Sequence, residues 1–330
     1  MLSRNNHHIS QMVLDGWSTN KEVYVYDLLV PNEKVPLWKK SNIKSVASYD
    51  SMYVRLKDGE ETDDLEKWFS KEYETPAKNA LIKARNGEEL SKEDWEKLIN
   101  LIACHIVRSP SFIMNTLEVG RNISTEVFQE IKEEIESSSN EEIKNKQIDS
   151  SNTELFPIHI EKNEEEGIKV ETIIGKQFYL WTMKHTLENS SKLLQNHKWG
   201  ILTGHKKISF PTTDNPVVFL NVYGNGEYDL NGKWNSRNTD ILFPISPNKI
   251  IYCQVGNQYA PNMNITKGLS HFLKKVITEN AYRIIISQEK DSSIPLLAPR
   301  EANLETFQEE KRKWTTFQKD YLEKEYKYIK

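Results

Sequence analysis

The sequence is poor in cysteine and has no long apolar run. Cys104 and Cys253 are the only two cysteines among 330 residues, so a disulfide scaffold is excluded. The longest apolar run, 98–107, is about half the roughly 20 residues that a bilayer span needs. The N-terminus lacks the apolar stretch of a signal peptide. These absences predict a cytoplasmic protein with reduced thiols and no membrane partner.

The familiar catalytic motifs are absent as well. The chain contains no phosphate-binding glycine loop, no paired-cysteine zinc motif, no His-Glu-x-x-His and no Gly-x-Ser-x-Gly elbow. The Gly-x-Gly at 224–226 lies in a turn-rich stretch and predicts a hairpin loop. No cofactor and no metal site is therefore predicted. A divalent metal stays an open alternative, because carboxylates and histidines are present without diagnostic spacing.

Aromatic content and charge are more informative. With 8 Trp, 14 Tyr and 11 Phe, the chain has too many aromatic residues for a disordered protein. The formal net charge of -4 is unevenly distributed: residues 118–172 carry a net -9 and residues 173–330 a net +7. The basic half is able to attract a polyanion, although solvated faces of ordinary helices explain the same charges. Charge alone leaves a nucleic-acid partner open.

The patterning predicts an α+β fold with a small N-terminal β-rich element, a helical middle, and a C-terminal mixed or antiparallel sheet with flanking helices. Apolar residues recur at helical spacing from Asp63 up to a predicted stop at Asn86-Gly87, and Ser91 resembles an N-cap for the buried helix that follows. Pro110 interrupts this helix, and 113–135 is predicted to continue as helix. Later elements are helices at 173–194, at 269–278 and from 304, and strands at 199–202, 207–210, 217–220, 241–243, 250–254 and 283–287.

The domain organisation follows from one polar stretch. Residues 136–153 combine serine, asparagine and acidic side chains with few apolar ones, and they are predicted to form a mobile connection. The β element and helical region would then occupy 1–135, and the helix plus C-terminal sheet 154–330. A single continuous domain is the alternative.

Three polar clusters are candidates for chemistry. His7, His8 and Gln11 lie near the N-terminus, where surface residues are the simpler interpretation. His105 and Arg108 are three apart on the buried helix, and a buried guanidinium needs an anion or an acidic partner such as Glu74 or Asp214. Asp214 and Asn215 precede Pro216 at a turn, where an Asx-turn is the structural alternative.

Taken in chain order, these clusters resemble a large bacterial family known as domain of unknown function 4238. The similarity rests on His7-His8-Ile9-Ser10-Gln11, Tyr49-Asp50-Ser51-Met52-Tyr53, Glu74, Arg108-Ser109-Pro110, Thr213-Asp214-Asn215-Pro216-Val217, Phe243-Pro244-Ile245-Ser246-Pro247 and Asn280-Ala281. Ser10 replaces the family's proline, Val13 its tyrosine and Trp17 its phenylalanine. The resemblance covers about residues 5–290 and implies a role in defence against bacteriophage.

Two functional hypotheses follow. In the first, the protein is a toxic effector that cleaves phosphodiester bonds in nucleic acid, with RNA favoured, after infection. The candidate catalytic residues are His8, Glu74, His105, Arg108 and Asp214, and the candidate substrate-binding residues are Gln11 and Asn215. In the second, the same residues form a structural network, and the chain is a non-enzymatic sensor that binds a phage-encoded trigger. The oligomeric state is left open.

Overall fold

The computed structural model describes residues 4–57, 60–120, 122, 158–163, 167–172, 175–257 and 262–317. Its helices are α1 (Gln11–Leu14), α2 (Asp64–Phe69), α3 (Thr75–Asn86), α4 (Lys92–Arg108), α5 (110–120), α6 (Lys176–Gln195), α7 (Lys267–Glu279), α8 (Ile294–Leu297) and α9 (Leu304–Thr315). The predicted 136–153 connection, and the end of the predicted 113–135 helix, lie outside the described residues.

The strands flank this helical middle on both sides of the sequence. They are β1 (Asn5–His7), β2 (Glu22–Asp27), β3 (Leu29–Val30), β4 (Lys39–Asn42), β5 (Ser48–Asp50), β6 (Arg55–Lys57), β7 (Glu60–Thr62), β8 (Ile158–Asn163), β9 (Gly167–Thr172), β10 (Trp199–Thr203), β11 (Thr212–Thr213), β12 (Val218–Gly224), β13 (Glu227–Asp229), β14 (Asp240–Ser246), β15 (Lys249–Gln254), β16 (Met263–Asn264), β17 (Ile284–Ser287) and β18 (Glu301–Ala302). The predicted mixed α+β class, with a helical middle and a C-terminal sheet, is confirmed.

Ten of the strands form the two larger sheets. The C-terminal sheet has the order β13-β12-β14-β15-β10-β16, and it is antiparallel except for the parallel pair β10–β16. The second sheet has the order β11-β17-β2-β4, so N-terminal strands pair with a strand from the C-terminal third. The N-terminal β-rich element is therefore completed by β17.

The core joins both halves of the sequence. The largest buried cluster contains Ile9 from the N-terminal segment, Leu101 from α4, Phe243 from β14 and Trp314 from α9. A second cluster lies between the C-terminal sheet and α7. Cys104 and Cys253 are both buried free thiols, as predicted. In the part of the chain that the structure describes, no helix is long and apolar enough to cross a membrane.

The predicted strand at 207–210 is wrong. Ile208 and Phe210 are buried in the second cluster, and this burial explains their alternation. The Ile208 N–H bonds to the carbonyl of His205 at 2.8 Å and the Phe210 N–H to that of Pro247 at 2.7 Å, which are turn and loop contacts. Apolar residues at every second position indicate which side chains face the core. This alternation does not show that the backbone pairs with another strand.

The predicted caps are confirmed. Gly87 ends α3 with a left-handed φ of 76°, and Pro110 begins α5 directly after Ser109 leaves α4. Ser91 accepts the backbone N–H of Asp94, and the Asp94 carboxylate accepts the N–H of Ser91, which completes a capping box.

This capping box gives a stability prediction. We expect Ser91→Ala to lower the free energy of unfolding by about 1 kcal/mol, because a buried helix loses the acceptor for an N-terminal N–H. Urea denaturation measures the change. Glu96→Ala, a half-exposed position on the same helix, is the control and should shift the free energy by less than about 0.5 kcal/mol. Equal effects of the two substitutions would contradict a capping role.

Candidate functional site

A cleft of about 190 Å³ lies between the N-terminal segment and the α2–α3 region. It is lined by His7, Ser10, Gln11, Met12, Glu66, Glu74, Thr75 and Lys78. The lining combines carboxylates, an imidazole and an ammonium group in one concave surface, which is the usual setting for acid-base chemistry.

The N-terminal wall is positioned by β1. This strand pairs antiparallel with β5, placing His7 opposite Ser48, and the N–H of His8 then donates to the carbonyl of Ala47 at 2.9 Å. Successive side chains of an extended segment point to opposite sides. His7 accordingly lines the cleft, whereas His8 packs against the ring of Tyr49.

The opposite wall depends on an irregular helix. A π-helical turn at Ser70–Glu74 joins α2 to α3. In a regular α-helix two residues eight apart, such as Glu66 and Glu74, differ in direction by about 80°. A π turn inserts one extra residue, so the pair behaves as if it were seven apart and points in nearly the same direction. Both carboxylates therefore line the cleft.

Arg108 lies behind the cleft and is fully buried. Its Nη1 donates to Glu74 Oε1 at 2.6 Å, its Nε donates to the Tyr53 hydroxyl at 3.1 Å, and its Nη2 donates to the carbonyl of His7. The guanidinium carbon lies 4.7 Å from the centroid of the Phe69 ring. Arg108 thus holds one group from each wall of the cleft, and it is not among the residues that line the cleft.

The pKa values of the two carboxyl groups are shifted in opposite directions. Burial, together with the negative charges of Glu74 and Asp63, raises the pKa of Glu66 to about 7 against the opposing charge of Arg108. Burial also acts on Glu74, but the charge and hydrogen bond of Arg108 outweigh it and lower the pKa of Glu74. Near neutral pH, Glu66 is able to give up a proton while Glu74 stays ionised.

His7 supplies a proton acceptor on the facing wall. Burial lowers the pKa of His7, with the nearby charge of Arg108 acting in the same direction and backbone groups of Ile43 and Lys44 opposing it. Its Nε2 is buried and has no hydrogen-bond partner among the described residues, and the same is true of Glu66 Oε2. The cleft therefore contains a neutral imidazole and a carboxyl group. His7 Nε2 and Glu66 Oε2 each make no hydrogen bond among the described residues.

His8 and His105 are buried neutral rings with different surroundings. Burial, together with the charge of Arg108, lowers the pKa of His8 to about 3 and that of His105 to about 4. His105 Nδ1 bonds to the carbonyl of Leu101 at 2.8 Å, and its Nε2 accepts the N–H of Ser10 at 3.2 Å. His105 thereby fixes the start of α1 on α4. Neither ring nitrogen of His8 has a partner among the described residues.

Asp214 and Asn215 belong to a separate turn. Asp214 accepts backbone N–H groups from Tyr282 at 2.9 Å, Arg283 at 2.8 Å and Ile284 at 3.2 Å. Burial raises the pKa of Asp214 to about 7, although these three donors favour the carboxylate. The carbonyl of Asn215 accepts the amide of Asn280 at 2.7 Å. Asp214 therefore fixes the backbone at the start of β17 through long-range contacts, and these are not the local bonds of the predicted Asx-turn alternative.

A comparison with protein families matches residues 5–291 to the family described as protein of unknown function (DUF4238). The chain belongs to this family. No curated protein and no solved structure matches it. The resemblance noted in the sequence is thereby confirmed, and the DUF4238 region includes the whole cleft.

In this DUF4238 protein, the residues singled out from the sequence divide into two networks. Glu74, His105 and Arg108 lie at or behind the cleft, Gln11 lies exposed on its lining, and His8 lies next to it in the interior. Asp214 and Asn215 form the turn at β17 instead. Of the two acidic partners considered for Arg108, the structure pairs it with Glu74.

Three residues on the cleft wall are not predicted as site residues from the sequence. Glu66 and Lys78 lie within ordinary helical patterns, and His7 is noted only as part of a histidine pair. The spacing of eight between Glu66 and Glu74 carries no signal unless the π turn is known. Within the described ranges, no group of three or more His, Cys, Asp or Glu residues is arranged to hold a metal ion.

Because the folded protein keeps His105 neutral, its free energy of unfolding is expected to depend on pH. In the unfolded chain this imidazole takes up a proton below its ordinary pKa of 6.5, whereas the folded protein resists protonation down to about pH 4. The stabilisation is present above about pH 6.5 and is lost as the pH falls toward 4. We expect urea denaturation to show that His105→Gln loses less stability than the wild type over this range. Parallel pH dependences would contradict the assignment.

Proposed function

We propose that this DUF4238 protein is an anti-bacteriophage effector that cleaves phosphodiester bonds in nucleic acid, with RNA favoured, at the cleft between His7 and Glu66. The observation that carries the proposal is the pair of uncommitted atoms, His7 Nε2 and Glu66 Oε2, on residues that line one cleft. A neutral base and a protonated acid are the two groups that this reaction needs.

RNA supplies its own nucleophile, the ribose 2′-hydroxyl. His7 Nε2 accepts the proton of this hydroxyl as its oxygen attacks the adjacent phosphorus. The bond from phosphorus to the 5′-oxygen breaks, and the leaving oxygen takes the proton of Glu66. The products are a 2′,3′-cyclic phosphate end and a free 5′-hydroxyl. DNA lacks the nucleophile, and this difference is the reason why RNA is favoured.

The remaining cleft residues have supporting roles in this proposal. The ammonium group of Lys78 and the amide of Gln11 are exposed on the lining and suit contacts to phosphate and base. Arg108 and Glu74 are positioning residues, because their ion pair fixes His7 and keeps negative charge beside Glu66. The net +7 of residues 173–330 is compatible with a polyanionic substrate. The defence role is taken from the family resemblance.

The test is made in cells that express the wild type, Glu66→Gln or His7→Ala. Total RNA and DNA are sequenced for new ends, and protection against phage is scored in the same cultures. We expect RNA ends with 2′,3′-cyclic phosphates in the infected wild type and in neither variant. Glu72→Gln is the matched control, since Glu72 is a half-exposed carboxylate on the π turn that follows the Glu66 helix.

The sensor hypothesis gives a different result in this experiment. A binding protein protects without producing new nucleic-acid ends, and Glu66→Gln should then protect as well as the wild type. Undiminished protection by both cleft variants, at wild-type protein levels, would overturn the proposed chemistry.

A further inference from the structure

Helix α9 contacts Tyr49, the ring that packs on His8, through a stack of aromatic rings. Trp314 lies on Tyr49 with ring centroids 4.5 Å apart and an interplanar angle of 15°. Tyr49 in turn stacks on His8 at 5.3 Å and 26°. Trp314 and the following Phe317 are the residues of this region that are buried in the main core. Helix α9 therefore contacts the interior side of the segment whose other side lines the cleft.

A polar contact holds α9 at a second point. Glu310 accepts from Arg283 at 2.8 Å and from the Tyr282 hydroxyl at 3.4 Å. The backbone N–H groups of Tyr282 and Arg283 are the ones that Asp214 binds. Asp214 thus fixes the backbone of Tyr282 and Arg283, and the side chains of these two residues bind Glu310 of α9. In this arrangement the Asp214 motif acts away from the cleft.

The covered state carries an energetic cost. His8 is 2% exposed, and both its ring nitrogens lack a hydrogen-bond partner among the described residues. A buried polar atom without a partner is unfavourable compared with the same atom in water. Displacement of Trp314 would uncover Tyr49, the ring that lies between Trp314 and His8. His8 reaches solvent when Tyr49 then moves, and its return to water relieves this cost.

Two further observations concern regulation. The DUF4238 match ends at residue 291, so α9 lies beyond the family unit. On the other side of strand β1, His7 Nε2 and Glu66 Oε2 are buried atoms at the cleft. Tyr49 is also paired with Asn6 in the β1–β5 register, which couples the ring stack to the strand that carries His7.

We propose that α9 is an autoinhibitory lid, which holds the Tyr49 ring over His8 and thereby fixes the strand that carries His7 until α9 is displaced. The consequence for RNA cleavage rests on the proposed function, whereas the movement itself does not. A lid of this kind would keep a toxic effector silent before infection.

The test measures the accessibility of His8 in the full chain. Diethyl pyrocarbonate acylates neutral imidazole, and mass spectrometry locates each modified histidine. Trp314→Ala removes the stack, and Glu310→Gln weakens the polar contact while leaving the core intact. Glu309→Gln is the control, because Glu309 forms an exposed pair with Lys313 on the same helix. His105, fully buried elsewhere, reports global unfolding.

We expect His8 modification in Trp314→Ala to rise by at least about tenfold, the factor that corresponds to about 1.4 kcal/mol of lost stacking. A smaller rise is expected for Glu310→Gln and none for Glu309→Gln, with His105 protected throughout. Unchanged His8 modification in both lid variants, or equal modification of His8 and His105, would contradict the lid. Increased His8 modification without RNA cleavage would support the lid and contradict the proposed function.

Discussion

Arg108→Ala is expected to lower the free energy of unfolding by about 3–5 kcal/mol, the cost typical of removing one partner from a buried ion pair. The substitution leaves the Glu74 carboxylate, the Tyr53 hydroxyl and the His7 carbonyl without their common donor. It also removes the cation that lies over the Phe69 ring. The contacts to Tyr53 and His7 are buried, where water replaces a lost hydrogen bond poorly.

Urea denaturation at neutral pH measures this effect. Lys97→Ala is the control: Lys97 pairs with Glu93 on the exposed side of the same helix, and its loss should change the free energy by less than about 1 kcal/mol. Arg108→Lys should recover only part of the loss, because an ammonium group does not reproduce the fork of guanidinium donors. A loss below about 1 kcal/mol for Arg108→Ala would contradict the network described here.

Glu66→Gln is expected to reduce RNA cleavage by about 10²–10⁴-fold, the range typical for loss of a general acid or base. The change is nearly isosteric, and Glu66 Oε2 has no hydrogen-bond partner to lose among the described residues. We therefore expect the free energy of unfolding to change by less than about 1 kcal/mol. The combination of lost activity and retained stability separates a catalytic role from a structural one.

The pH profile sharpens this test. As an acid, Glu66 is active while it holds its proton, so cleavage should decline as the pH rises through about 7. This decline should be absent from the residual activity of Glu66→Gln and unchanged in Glu72→Gln. A Glu66→Gln enzyme with wild-type activity and an unchanged profile would remove Glu66 from the chemistry.

The sequence predicts those parts of the fold that depend on local interactions. The Ser91 cap, the Gly87 stop and the helix break at Pro110 are properties of neighbouring residues, and the structure confirms all three. The pairing of β2 with β17 joins segments about 260 residues apart, and no local pattern encodes it. The false strand at 207–210 shows the same limit, since burial alone produces its alternation.

The candidate site, like the fold, has features that the sequence predicts and features that depend on tertiary contacts. A buried Arg108 with an acidic partner follows from the helix pattern, but the choice of Glu74 over Asp214 depends on tertiary contacts. The alignment of Glu66 with Glu74 depends on the π turn at Ser70–Glu74, which hydrophobic periodicity does not reveal. The fully buried guanidinium indicates a large loss of stability in Arg108→Ala.

The most direct test of the central claim is a titration of Glu66 in the folded protein. With glutamate labelled by ¹³C at the side-chain carboxyl, NMR follows each carboxyl from about pH 4 to pH 8, and the Glu66→Gln spectrum identifies the resonance of Glu66. We expect this resonance to titrate near pH 7 and to persist unchanged in Glu72→Gln. A Glu66 resonance that titrates near the ordinary glutamate pKa of about 4.3 would contradict a protonated acid in the cleft.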